Sequence, residues 1–301
     1  MRPLLPVVLL VCQAVISVHT ELVTVPVTVT DAHGRHVSGL GQESFRVFED
    51  GRPQPIAVFH HGDVPVTLGL IVDRSQSMRP KGPALLAALS AILQSSRPDD
   101  ELFAVGFNDR VSLVLSDGQP FTRDGKRLEA SLSAVPAQGQ TVLYDGVAEG
   151  LEHLELGHAE RRALIVVSDG GDNASRQTYA QILALARRSD AVIYAIGLLA
   201  TPPAQEEEDA DLLTRLCKDT GGVAFFPRTT GEITEMSTQI ARDLREQYTL
   251  GFTPSERTGG RAFRKIEVRV TAAGQGRLQV RTRAGYLVGS DKDTKGDKDR
   301  P

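Results

Sequence analysis

The stretch that decides the fold is Val66-Thr67-Leu68-Gly69-Leu70-Ile71-Val72-Asp73-Arg74-Ser75-Gln76-Ser77. Its first seven residues are apolar except for one threonine. A strand that is half exposed alternates polar and apolar residues, whereas this run reads as a strand covered on both faces. Such strands belong to parallel sheets sandwiched between helices. A second run of this kind, Ala163-Leu164-Ile165-Val166-Val167, leads into Ser168-Asp169-Gly170-Gly171.

Between and after these two runs the pattern alternates. Helical periodicity is expected over 84–93, 127–135, 143–154, 179–188, 209–218 and 233–246. Strands are expected over 101–107, 111–115, 191–196 and 223–226. The alternation predicts an α/β class with a doubly wound, mainly parallel sheet of Rossmann-like type over residues 64–247.

The flanks read differently. Val23, Val25, Val27 and Val29 alternate with Thr24, Pro26, Thr28 and Thr30, a period of two. Phe45, Val47, a turn at Glu49-Asp50-Gly51, and Ile56-Ala57-Val58-Phe59 continue the strand grammar. After Tyr248 strands return alone: Tyr248, Leu250 and Phe252 alternate, then 263–270 and 277–283. Segments 21–63 and 248–290 are each too short to bury a core. They are expected to pack together as a small β-sandwich, with the α/β unit inserted between them. Residues 291–301 are charge-dense and read as a disordered tail.

The first twenty residues carry Arg2 and then the apolar run Leu4 to Val18, broken by Pro6. This reads as a signal peptide or an uncleaved anchor, with Val15 and Ser17 as the −3 and −1 residues. The chain is therefore expected to be exported: periplasmic, secreted or associated with the cell envelope. No later segment is apolar enough to span a bilayer. Of the two cysteines, Cys12 lies in that leader, so the mature chain is expected to hold Cys217 alone and no internal disulfide. The net charge of −4 and the scattered Lys and Arg argue against nucleic acid as a partner.

Chemistry concentrates where the buried strands end. In extended chain residues i, i+2 and i+4 face one way, so Asp73, Ser75 and Ser77 are expected to converge. Ligands of doubly wound folds bind at the carboxyl ends of parallel strands, and Asp169 leaves the second buried strand at that edge. Thr141, just before the helix at 143, supplies a third loop. Asp73, Ser75, Ser77, Thr141 and Asp169 form an all-oxygen set with two carboxylates. It suits Mg²⁺ or Mn²⁺, with Ca²⁺ as a third candidate. Asp145 and Asp172 nearby read as surface or capping residues. Glu206 to Asp209 reads as the solvated start of a helix, His60-His61 as surface residues, and Cys217 as a small buried apolar residue.

The Asp-x-Ser-x-Ser of 73–77, with Thr141 and Asp169 following in order, resembles the metal-ion-dependent adhesion motif (MIDAS) of von Willebrand factor A (VWA) domains. Thr141-Val142-Leu143-Tyr144-Asp145-Gly146 and Val167-Ser168-Asp169-Gly170-Gly171-Asp172-Asn173 carry the resemblance further. The whole chain is similar to bacterial VWFA-related proteins of the acidobacterial type, through Val27 to Asp31, Phe45 to Gly51, Tyr248 to Pro254 and Phe263 to Val268. The resemblance implies that Ser75, Ser77 and Thr141 ligate through hydroxyls, and that Asp73 and Asp169 contact the ion directly or through water. It implies a non-enzymatic adhesion or assembly module whose metal grips a Glu or Asp of a partner protein. By analogy with integrin-type domains, occupancy is expected to shift the helix at 233–246. A structural envelope protein with a merely stabilising metal is the alternative. A phosphotransferase-type hydrolase is a weaker one: the position two after Asp73 is Ser75, where such enzymes need a second Asp, and no nucleophile elbow or phosphate loop is present.

Overall fold

The computed structural model describes residues 22–115, 118–199, 203–255 and 263–288. The expected leader at 1–20 and tail at 291–301 lie outside them. The chain opens with strands β1 (Val23–Thr30), β2 (Phe45–Glu49), β3 (Arg52–Gln54) and β4 (Val58–His61). An α/β series follows: β5 (Val66–Asp73), α1 (Gly82–Gln94), β6 (Glu101–Phe107), β7 (Val111–Leu113), α2 (Gly125–Ala134), α3 (Leu143–Leu154), β8 (Arg161–Ser168), α4 (Tyr179–Arg188), β9 (Val192–Gly197), α5 (Pro203–Thr220), β10 (Ala224–Phe225) and α6 (Thr230–Glu246). Strands β11 (Tyr248–Phe252), β12 (Phe263–Val270), β13 (Gln279–Thr282) and β14 (Gly285–Leu287) close it.

The central sheet runs β10-β9-β8-β5-β6-β7. All its pairs are parallel except β6–β7. Every residue of β5 is buried, as its unbroken apolar run predicts. Its two faces feed separate cores. Leu68, Leu70 and Val72 pack with Leu85 and Leu89 of α1, Leu128 of α2 and Ile240 of α6. Ile71 packs in the other core, with Val147 and Leu151 of α3, Ile182 of α4 and Leu216 of α5. Helix α3 approaches closely because it offers glycines to the sheet. A Cβ on Gly150 would stand 2.3 Å from Ile71, and one on Gly146 2.8 Å from Phe107.

Helix starts follow local chemistry. Thr178 and Gln181 form a capping box at α4, and Asp124 and Thr229 accept backbone N–H groups at α2 and α6. Helices α3 and α4 match the expected spans, whereas α1, α2, α5 and α6 begin two to six residues earlier than expected, in stretches without apolar periodicity. The single strand expected at 277–283 is instead β13 and, after a break, β14.

The flanking strands interleave. One sheet is ordered β13-β1-β11-β4 and the other β14-β12-β2-β3, all antiparallel. Val25 lies opposite Leu250, and Val47 opposite Val268. Strands from both ends of the chain thus share each sheet. Val25, Val27, Val29, Phe45, Tyr248 and Phe252 fill one core. His61 is not a free surface residue: its ring stacks on Tyr248 at 4.2 Å. The two units are tied by Asp243 of α6, fully buried, which pairs with Arg281 of β13 and lies 2.9 Å from His36.

Candidate metal centre

Strands β5 and β8 are parallel neighbours with Val72 beside Val167. Asp73 and the Ser168-Asp169 step therefore emerge side by side at the carboxyl edge of the sheet. Asp73 has no exposure. Its Oδ1 accepts the backbone N–H of Ser75 at 2.8 Å, and its Oδ2 accepts the hydroxyl of Ser168 at 2.6 Å. Burial pushes its carboxyl up to about 6, against the hydrogen bonds from Ser168 and Ser75 and with added repulsion from Asp169. Ser168 is a site residue that the sequence reading missed. Its position as the last residue of a buried strand beside Asp73 is the only sequence signal for it.

The convergence of Ser75 and Ser77 arises otherwise than expected. The chain is still extended at Ser75 and turns only after it. Ser75 sits at φ −67°, ψ 168°, and a 3-10 turn, Gln76–Lys81, follows at once. The turn brings the Ser75 and Ser77 Oγ atoms to 3.0 Å. Met78, 1% exposed, buries itself beneath and fixes the turn to the core.

Thr141 arrives on a loop stitched to this turn. The Gln138 N–H donates to the Arg74 carbonyl at 2.8 Å, and the Gln76 N–H donates to the Gly139 carbonyl at 3.0 Å. Gly139 has φ +80°, a left-handed conformation that favours glycine, and an added Cβ would push aside the Asp109 carboxylate, 2.1 Å away. The same loop is bound to the chain after β8: the Thr141 N–H donates to Asn173 Oδ1 at 3.0 Å, and the Thr141 carbonyl accepts from Asn173 and Ala174. Asp172 accepts the Tyr144 N–H at the start of α3, and Asp145 accepts the N–H groups of Arg176 and Gln177. Both carboxylates hold loops, in line with the capping role read for them.

Asp169 is 13% exposed in its side chain, and its Oδ2 lies 2.9 Å from the Lys81 ammonium at the end of the 3-10 turn. Lys81 escaped the sequence reading. Asp209 is a second such residue, at a position whose acidic run reads as a solvated helix start. It lies half-buried against the Asp169 loop: a Cβ on Gly170, φ +93°, would stand 2.7 Å from its Cβ. Burial, then the charges of Asp169 and Glu208, raise the Asp209 carboxyl, and Lys81 opposes them.

Three loops thus bring Asp73, Ser75, Ser77, Thr141 and Asp169 to one sheet edge. Among the described residues no cluster of three or more His, Cys, Asp or Glu is placed to hold a metal. A cation here would have to use hydroxyls beside the two carboxylates. That donor set is all hard oxygen and suits Mg²⁺, Mn²⁺ or Ca²⁺ rather than a soft metal. Each Asp73 oxygen accepts one hydrogen bond and keeps a lone pair.

Comparison with known proteins agrees with this architecture. Residues 68–171 match the von Willebrand factor type A domain. The uncharacterized protein sll0103 of Synechocystis sp. is 27% identical over 116 residues, 38% of this chain and 27% of that protein. The match therefore spans about a quarter of that relative's length. Among solved structures, a von Willebrand factor type A protein from Catenulispora acidiphila superposes with a TM-score of 0.51 at 12% identity, covering 83% of this chain and 75% of that one. The vWF domain of the type V pili tip protein Mfa5 from Porphyromonas gingivalis gives a TM-score of 0.47 at 12% identity, covering 65% of this chain and 99% of that one. The six-stranded sheet and the Asp-x-Ser-x-Ser turn thus lie in or around a stretch, residues 68–171, that is similar to the von Willebrand factor type A domain.

Proposed function

We propose that this chain is a non-enzymatic, exported protein-binding module, for adhesion or assembly. In this reading Asp73, Ser75, Ser77, Thr141 and Asp169 hold Mg²⁺ or Mn²⁺, and the partner protein offers a Glu or Asp to the ion. The observation that carries it is the stitching of three separate loops by backbone hydrogen bonds, which gathers hydroxyl and carboxylate oxygens at one edge. A hydroxyl-rich shell leaves a bound divalent ion under-neutralised, and when bound the ion supplies an electrophilic position for a carboxylate. The residues themselves orient the site: Ser168 and the Ser75 amide aim the Asp73 carboxylate, and Asn173 fixes the Thr141 backbone. Export rests on the apolar run behind Arg2.

The reading is tested by capture from the native envelope fraction with the full chain as bait. A partner is expected in Mg²⁺ and not in EDTA, and not with Thr141→Ala. Replacing one Glu or Asp of the partner should abolish capture. A partner held equally in chelator would remove the metal from the contact.

A structural role with a merely stabilising cation is the second reading. The Lys81–Asp169 ion pair bears on it: the ammonium already neutralises Asp169, so a cation would add little charge compensation there beyond stabilising the loops.

A further inference from the structure

Lys81 is what this site carries beyond its oxygen donors. The 3-10 turn Gln76–Lys81 contains Pro80 and is pinned by buried Met78, so it delivers Lys81 from a restrained backbone. The Lys81 and Asp169 side chains are 14% and 13% exposed, and Nζ lies 2.9 Å from Oδ2. An ammonium withdrawn this far from water is held by its carboxylate rather than by solvent. Asp209 also feels its charge.

Asp169 is also one of the two carboxylates of the metal set. A divalent ion ligated there would share that carboxylate with the ammonium. Two positive charges a few ångströms apart in a partly dry site repel strongly. The flexible four-carbon stem of lysine lets the ammonium leave without moving the turn.

We propose that Lys81 is a tethered cation that holds Asp169 in the metal-free protein and must release it when a divalent ion binds. Lys81 thereby weakens metal binding and keeps the metal-free loops in place. This inference rests on the metal-binding reading above.

The test uses the full chain stripped with EDTA, titrated with Mn²⁺ by calorimetry, as wild type, Lys81→Gln, Lys81→Arg and Asp169→Ala. Lys81→Gln should bind Mn²⁺ at least about tenfold more tightly, equivalent to about 1.4 kcal/mol. Lys81→Arg keeps the charge and should stay within about threefold of wild type. In EDTA the Lys81→Gln protein should melt below wild type, whereas saturating Mn²⁺ should bring the two together. Binding that is lost in Asp169→Ala yet unchanged or weaker in Lys81→Gln overturns this inference alone. Absence of Mn²⁺ binding in both wild type and Lys81→Gln overturns it together with the metal-binding reading.

Discussion

The guanidinium of Arg161, at the start of β8, donates to the carbonyl oxygen of Gln247, the residue through which the chain leaves the α/β unit, at 2.5 Å. The same group donates to Gly62, on the incoming crossing, at 2.8 Å, and to Leu244 and Arg245 at the end of α6. One buried side chain thus closes both crossings between sandwich and α/β unit. The carbonyls at a helix C-terminus carry negative partial charge and stand in for an acidic partner. Burial, then the nearby Arg245, lowers the Arg161 guanidinium to about 10. Together with the Arg245–Asp100 pair, this ties down the end of the helix whose movement was expected from integrin-type domains.

Arg161→Met should therefore cost about 3 kcal/mol or more, because up to four carbonyls lose their donor in a dry setting. Arg161→Lys should recover only part of this, since an ammonium cannot span four acceptors as a planar fork does. Urea denaturation of the three proteins measures it. A cost within about 0.5 kcal/mol, the range of an ordinary surface substitution, would show that the crossings hold without this clamp.

Glu49 predicts a pH dependence. The sequence places it in a Glu49-Asp50-Gly51 turn; the positive φ angles fall at Asp50 (47°) and Gly51 (78°), and Glu49 itself ends β2, fully buried in the sandwich. Burial raises its carboxyl, but donation from Tyr286 at 2.5 Å, Arg264 at 3.0 Å and Ser255 outweighs burial and leaves it below the ordinary value. A lowered folded-state pKa contributes stability above the unfolded value, about 4.3, that is lost as pH falls through the folded value. Glu49→Gln should lose about 1–3 kcal/mol at pH 7. It should also show a shallower fall in stability than wild type as the pH drops below about 4.5. Parallel curves for the two proteins down to pH 3 would contradict this.

Occupancy of the metal site should appear as stability. A ligand that binds only the folded state adds RT ln(1 + [L]/Kd), about 2.7 kcal/mol at roughly 100 times Kd. Mg²⁺ or Mn²⁺ should raise Tm of the wild type and leave Asp73→Asn unmoved. Asn preserves the shape and can still accept from Ser75 or Ser168, so this variant should remain folded in EDTA. Equal shifts in both proteins would place the ion elsewhere.

The shared sheets predict how fragments behave. A fragment of residues 64–247 should fold alone, because both cores of the central sheet lie within it. Residues 21–62 should be unfolded alone and gain β structure when mixed with 248–290, since β1 lies between β11 and β13. Circular dichroism of the separate and mixed pieces decides it. A cooperative melt of 21–62 by itself would show an independent N-terminal module.

Much of the fold is legible because burial on both faces demands one residue chemistry at every position. The runs 66–72 and 163–167 announce the central strands, and the valines of 23–29 announce a strand covered on one face. Asp73, Ser75 and Ser77 are equally legible as oxygen donors after a buried strand, although the reason drawn from extended chain holds only as far as Ser75, and a 3-10 turn carries Ser77. What no local pattern carries is which distant groups meet. Lys81 and Asp169 are 88 positions apart; Asp169 reads as an oxygen donor after a buried strand, but nothing local marks Lys81 as its partner. Asp209 and Arg161 are similar cases: an acid in an acidic run and a base before a strand. Ser168 aims Asp73 only because β5 and β8 are neighbours in register. The sequence by itself determined the layers and the chemistry of the oxygen donors at the sheet edge, because periodicity and side-chain chemistry are local properties. Only the tertiary structure decided that the Lys81 ammonium sits on the Asp169 carboxylate, because Coulomb interaction depends on distance in space and on exclusion of water, and both are set by packing.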